Sequence, residues 1–266
     1  MTSLATYSVY AFKYAERVAR RPEHFIGGDP HDVPMPMDYF VWAVVPDDGS
    51  ETWVIDTGFA AVDAEQRRRT IVCPVNEALA TMGIDSSQAA NVVLTHLHYD
   101  HLGGWEHFPT ATFHVQDTEM AYATGRDMTR SEVNHAYTAR HVSELVLEVF
   151  AGRVSFHDGD DELMPGLTVH LVGGHTKGMQ VVRVHTKQGW MVLASDASHF
   201  YENMQTRRHF PIHEDADQMA SGWDRLLELA DDPDWIVPGH DPLVLERYPA
   251  PRPELQGLVA DLTPPA

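Results

Sequence analysis

Six consecutive residues, His96 to His101 within "THLHYDHLGG", hold three histidines and an aspartate, and they follow directly on the apolar run "NVVLTH". A chain built around this stretch must end a buried strand and at once place His96, His98, Asp100 and His101 near one point. Loops at strand ends are where functional side chains collect. Burying imidazole and carboxylate with no partner is costly, and a divalent cation supplies the partner. Imidazole nitrogen and carboxylate oxygen suit Zn²⁺ or another first-row divalent ion (Fe, Mn or Co). The single cysteine, Cys73, leaves no thiolate ligand set and no internal disulfide framework, which fits a reducing, cytoplasmic setting.

The rest of the chain repeats the strand-end theme. Short β-branched or aromatic runs recur, among them "DYFVWAVV", "TWVIDTG", "ATFHVQ", "LTVHLVGG", "MQVVRVHT", "WMVLASD" and "DWIVPGH". Helical patterns lie between them, notably "DAEQRRRTIVCPVNEALATMG", interrupted at Pro74, and "DADQMASGWDRLLELADD", with Met219, Trp223, Leu226, Leu227 and Ala230 on one face. Strands in groups followed by helices predict an α/β architecture of sheets with helices on their outer faces, in a single domain over 1–266. Three further strand ends finish in metal-capable residues: His175, Asp196 and His240.

Residues 1–38 read as an N-terminal segment that precedes the first core strand and supplies a substrate loop. Phe25, Ile26, Met35, Met37 and Tyr39, set among glycines and prolines, are the expected apolar walls of a binding site. Residues 249–266 read as a strand-poor, Pro-rich tail. No apolar run is long enough for a signal segment or a membrane span. The net charge of −20 opposes binding to nucleic acid, which depends on Lys and Arg neutralising phosphates.

His96, His98, Asp100, His101, His175, Asp196 and His240 resemble, in type and order, the seven ligands of the dinuclear metallo-β-lactamase superfamily. The likeness runs over nearly the whole chain, with "WVIDTG" similar to the early motif whose Asp56 supports the site from behind. The resemblance implies an αββα sandwich. It places His96, His98 and His175 on one metal, Asp100, His101 and His240 on the other, and Asp196 between them. A bridging aspartate sets the chain apart from true β-lactamases, His98 from flavodiiron proteins, and the short end after His240 from glyoxalase II enzymes. Chain length and the phrases "THLHYDHLGG", "SDAS" and "VPGHDP" look most like the N-acyl-homoserine lactonases, which implies a small-molecule lactone substrate. Relatives in that group are often homodimers, and Met128 to His141 is the segment expected to meet a partner subunit.

The chemistry expected of such a centre is hydrolysis. Two adjacent divalent ions lower the pKa of a shared water toward 7, and a hydroxide bridging them would attack the lactone carbonyl. Asp100 would collect its proton and pass it to the leaving oxygen. Lactonases of this group commonly carry a tyrosine three residues after the bridging aspartate; here His199 stands there and Tyr201 two residues further, so both are candidates for orienting the carbonyl. The alternatives are other substrates on the same metals: an aromatic lactone such as pyridoxolactone, a thioester, an arylester or a phosphodiester. A phosphodiester would need cations for its nonbridging oxygens, for which Lys177, Arg183, Arg207 and Arg208 are the candidates. A structural zinc role is opposed by the absence of a cysteine set.

Overall fold

The computed structural model describes residues 4–263, so the extreme ends of the expected 1–266 unit, 1–3 and 264–266, lie outside the described residues. Seven strands build most of a first sheet: β1 (Tyr7–Arg17), β2 (Met37–Pro46), β3 (Trp53–Ile55), β4 (Thr70–Ile71), β5 (Asn91–Val93), β6 (Thr112–Gln116) and β7 (Val154–His157). The chain then crosses to a second sheet of β8 (Asp161–Met164), β9 (Leu167–Leu171), β10 (Gln180–His185), β11 (Trp190–Ser195) and β12 (Ile236–Pro238). It closes by returning β13 (Val259–Asp261) to the free side of β1, giving the order β13-β1-β2-β3-β5-β6-β7 with β4 also on β1, and β12-β11-β10-β9-β8.

The period-2 pattern of β2 shows why the sheets stack. Phe40, Trp42 and Val44 face the second sheet and pack with Leu167, Val182, Val184 and Leu193. Tyr39, Val41 and Ala43 face the other way, onto the helices Val75–Ala80 and Ala139–Phe150 through Ala78, Leu79, Val142 and Leu145. Opposite faces of a strand carry alternate side chains, so a strand apolar on both has to be covered on both. The second sheet is covered likewise: Val181, Val192 and Ala194 meet Met219, Trp223, Leu226 and Leu229 of the helix Ala216–Leu229. Helix, sheet, sheet, helix is the αββα sandwich the sequence implied.

Three local expectations are corrected. The segment 1–38 does not precede the first core strand, because β1 lies inside it, paired with β2 from Tyr7 to Arg17. Tyr7, Val9 and Ala11 enter the inter-sheet core and Phe12, Tyr14 and Ala15 the helical side, so this strand is apolar on both faces and shows no simple alternation. The tail 249–266 contains β13, held to β1 between Tyr10 and Asp261. The helical pattern after Asp63 breaks well before Pro74: the helix Ala61–Arg67 ends at Arg68 in the left-handed conformation (φ 55°), and β-branched Thr70 and Ile71 then pair with β1.

Candidate metal centre

The parallel strands β3 and β5 end side by side, and β11 and β12 end on the facing sheet, so the turns after them open onto the same edge of the sandwich. Asp56, Thr95–His98, Asp196 and Gly239–His240 lie in these turns, Asp100 and His101 in the short helix Tyr99–Leu102 that follows, and Ser195 closes β11. Asp56 and Ser195 adopt left-handed backbone conformations (φ 62° and 43°), a strained choice for non-glycine residues that clusters at functional sites. Gly239 is required by close approach: a Cβ there would sit 2.5 Å from Asp196 Oδ1 and 2.8 Å from the Ser195 carbonyl carbon.

All seven candidate donors are buried and converge. His96, His98 and His175 form one group able to hold a single ion, Asp100, His101 and His240 another, and Asp196 shares a third group with His96 and His101. The hydrogen bonds behind the rings fix which nitrogen faces inward. His175 Nδ1 donates to the Ile212 carbonyl (2.7 Å), His240 Nδ1 to the Asp38 carbonyl (2.8 Å) and His101 Nδ1 to Asp56 Oδ2 (2.7 Å). Their Nε2 lone pairs therefore point into the cavity, as metal-bound histidines require. Asp56 also accepts from the Thr95 backbone N–H (2.7 Å) and hydroxyl (2.8 Å), tying the turn after β5 to the turn after β3.

The spacing of those lone pairs tests the site for a metal. His175 Nε2 lies 2.9 Å from His98 Nδ1 and 3.2 Å from His96 Nε2. Ligand nitrogens around a tetrahedral zinc with bonds of about 2.05 Å stand about 3.3 Å apart. His101 Nε2 and Asp196 Oδ1 are both buried without a hydrogen-bond partner, 3.5 Å from each other. Buried polar atoms left orphaned in the middle of a converging donor set are what a bound cation satisfies, so the residues present fit a divalent metal pair.

Electrostatics sort the donors. Burial, reinforced by neighbouring imidazoles, holds His96 and His98 well below the usual histidine range, and burial takes His175 down to about 3, so these rings are neutral and open to a metal at pH 7. Burial alone would raise the Asp196 carboxyl, but His240, His101 and His199 around it hold it well below the carboxylate range.

Of the residues proposed to touch substrate, His199, Met37 and Tyr39 line the cavity, which encloses about 250 Å³. His199 Nε2 is 3.1 Å from Asp196 Oδ2, and its ring stacks on Phe210 at 3.6 Å. Tyr201 is not there. It opens the helix Tyr201–Thr206, which turns its ring into the inter-sheet core beside Val237 and Val244, under the Arg247 guanidinium. Phe25, Ile26 and Met35 are also corrected. Phe25 is buried beneath Arg208, Ile26 is exposed, and Met35 borders a separate cavity of about 520 Å³ that also contains Tyr201. The cations suggested for a phosphodiester are engaged elsewhere: Lys177 with Asp127, Arg183 on the Trp190 ring, Arg207 with Asp224 and Arg208 with Asp29.

Two features escaped the sequence reading. Glu119, fully buried, accepts from the Leu97 and Gly178 backbone N–H groups (3.0 and 3.1 Å) and from the Tyr137 hydroxyl (3.0 Å), and the Tyr137 ring packs edge-on to His98 at 4.6 Å. This carboxylate ties the His96–His98 loop to the loop that follows His175. Arg69 lines the cavity wall together with Tyr99. A glutamate inside a helical stretch and the last arginine of a run of three carry no sequence signal of a site.

A profile of the metallo-beta-lactamase superfamily matches residues 36–240, which takes in all seven donors, and the chain belongs to that family. Among individual relatives it is similar to an N-acyl homoserine lactonase of Bacillus thuringiensis, 29% identical over 128 residues, which are 48% of this chain and 46% of that protein. It is also similar to a probable metallo-hydrolase of Mycobacterium tuberculosis, 27% identical over 179 residues, covering 60% of this chain and 57% of that one. The chain thus spans about half the length of the curated relatives it matches. In fold it is similar to a quorum-quenching N-acyl homoserine lactone lactonase (TM-score 0.74, 21% identity, 91% of this chain and 94% of that one). It is likewise similar to an N-acyl homoserine lactone hydrolase with the product N-hexanoyl-L-homoserine at its catalytic metal centre (TM-score 0.73, 20% identity, 90% and 94%).

Proposed function

We propose that this chain acts as one domain, a dinuclear metal hydrolase that opens a lactone ring, with Zn²⁺ the expected ion and N-acyl-homoserine lactone the first substrate to test. The observation that carries the reading is the convergence of two three-residue donor groups, with Asp196 between them, at a cavity. The names borne by the relatives support the lactone as the substrate class. When bound, a divalent pair supplies an activated water at neutral pH and polarises the carbonyl.

The chain's own residues do the rest. Asp100 is the most exposed of the seven donors, though still buried at 8%, and it borders the cavity. Its carboxylate is placed to take the proton of the attacking water and return it to the ring oxygen as that oxygen leaves, without which an alkoxide departs poorly. Burial takes His199 down to about 4, so at pH 7 it is a neutral hydrogen-bonding group that orients the carbonyl rather than a cation. Met37 and Tyr39 wall off bulk water beside it. The four cations the sequence offered for a phosphodiester, Lys177, Arg183, Arg207 and Arg208, all lie away from the cavity lining.

The test is ring opening by protein of measured metal content, followed as acid release. The panel runs from short and long acyl-homoserine lactones through γ-butyrolactone to an aromatic lactone. Turnover by the wild type, lost in Asp100→Asn while both metals stay bound, supports the lactonase and its proton carrier. Fully loaded protein that opens no ring removes the lactone reading.

A further inference from the structure

The cavity lining also carries a charge that the hydrolysis does not use. Two guanidinium groups, Arg17 and Arg69, belong to it. Arg17 is neutralised by Glu23. Arg69 is not: among the described residues no carboxylate oxygen lies within 4.0 Å of it, and its hydrogen bonds run only to the Tyr99 hydroxyl (Nε, 3.1 Å) and the Arg67 carbonyl (Nη1). A guanidinium has five N–H donors, so three remain.

The chain places this residue with some care. The left-handed turn at Arg68 ends the helix Ala61–Arg67, and the Arg69 N–H closes back onto the Ala64 carbonyl (2.8 Å). Arg69 then sits over the Tyr39 ring, half-buried, beside Tyr99 and on the same wall as Asp100. In a chain with 39 acidic and 19 basic side chains, a carboxylate partner is the common condition of an arginine. Arg69 faces the cavity without one.

Resting on the hydrolase reading above, we propose that the site takes a compact lactone or ester that itself carries a carboxylate, and that Arg69 holds that carboxylate while the scissile carbonyl lies at the donors. A charge-assisted hydrogen bond from guanidinium to carboxylate is about twice as strong as a neutral one, and its fork geometry fixes orientation as well as affinity. Arg69 Nε donates to the Tyr99 hydroxyl, which holds the guanidinium in place.

The experiment uses matched pairs on metal-loaded protein: 5-oxotetrahydrofuran-2-carboxylate and its 3-carboxylate isomer, each against its own primary amide. Unreactive ring counterparts, pyroglutamate against pyroglutamamide, are titrated by calorimetry. In the wild type the acid of at least one lactone pair should exceed its amide about tenfold or more in kcat/KM, chiefly through KM, and pyroglutamate should bind more tightly than its amide. Arg69→Gln should bring both ratios to about one, Arg69→Lys should restore part of them, and Arg69→Glu should invert them. Equal handling of acid and amide in every pair by the wild type overturns the proposal, as does a preference that survives in Arg69→Gln. Should loaded wild type open neither member of any lactone pair, the lactone reading is left to the acyl-homoserine, γ-butyrolactone and aromatic lactone panel, and the binding ratio for the two lactams decides the role of Arg69 by itself.

Discussion

Asp56 shows how much of this site depends on residues that never face the substrate. It accepts hydrogen bonds from His101 Nδ1 and from the Thr95 backbone N–H and hydroxyl, all while held in a strained backbone conformation. Removing such an outer partner typically costs 10–100-fold in metal affinity. We therefore expect Asp56→Ala to weaken metal binding by about that factor, read as the free-metal midpoint in a chelator-buffered titration; an unchanged midpoint would show that His101 is oriented by other means. Gly239 makes the complementary case. Its missing side chain is what lets the turn after β12 pass beside Asp196, since a Cβ there would stand 2.5 Å from Asp196 Oδ1, so Gly239→Ala should cost about 1–3 kcal/mol of stability and weaken metal retention together. A denaturation midpoint equal to wild type would contradict that. At this scale the seven donors were legible because histidine and aspartate at the ends of apolar strands have few uses other than metal. Arg69 and Glu119 were not, since arginines in a run and a glutamate in a helix are common on surfaces, and only the fold turns these two inward.

Strands were legible where one residue pattern meant one environment, as in β2, β10 and β11. β1 was missed because its two faces serve two different cores and its charged end, Lys13 to Arg17, resembles a helix in sequence. The β4 segment was hidden for a related reason: two β-branched residues following an arginine run give no hint of a left-handed turn. An element-scale test lies where β6 meets β7. His114 is wedged between Asn91 Oδ1 (3.1 Å) and His157 Nε2 (3.0 Å), with the Trp53 ring 4.9 Å away, and burial together with His157 takes it down to about 4. Its folded-state value lies below that of the unfolded chain, so protons bind the unfolded state first. The stabilising contribution is complete above about pH 6.5 and is lost as pH falls toward 4, reaching on the order of 3 kcal/mol. Urea midpoints of metal-free wild type should therefore fall more steeply between pH 6.5 and 4.5 than those of His114→Gln. Parallel curves would remove this pair from the acid sensitivity.

The whole molecule is two sheets whose facing sides make one core and whose outer sides are closed by helices, with the strand ends of both sheets left to build the site. That arrangement was legible in the order of runs and in the residues that resemble the family, because a layered α/β chain has few ways to bury strands apolar on both faces. The exact cavity wall was not, because part of it, Arg17 and Arg69, comes from the end of β1 and the turn before β4, elements the sequence concealed. Metal also belongs to this scale, since it joins residues from both sheets. Lone pairs facing one another at 2.9–3.2 Å repel when no cation separates them. Metal present at about 100 times its dissociation constant should add about 2.7 kcal/mol of stability, so chelation should lower the melting temperature by several degrees. The most direct test of the central claim is to titrate metal-free protein with Zn²⁺ and to follow lactone ring opening against equivalents bound. The two-metal centre predicts activity that rises through two equivalents per chain and then levels. Saturation at one equivalent, or two bound ions with no ring opened, would contradict it.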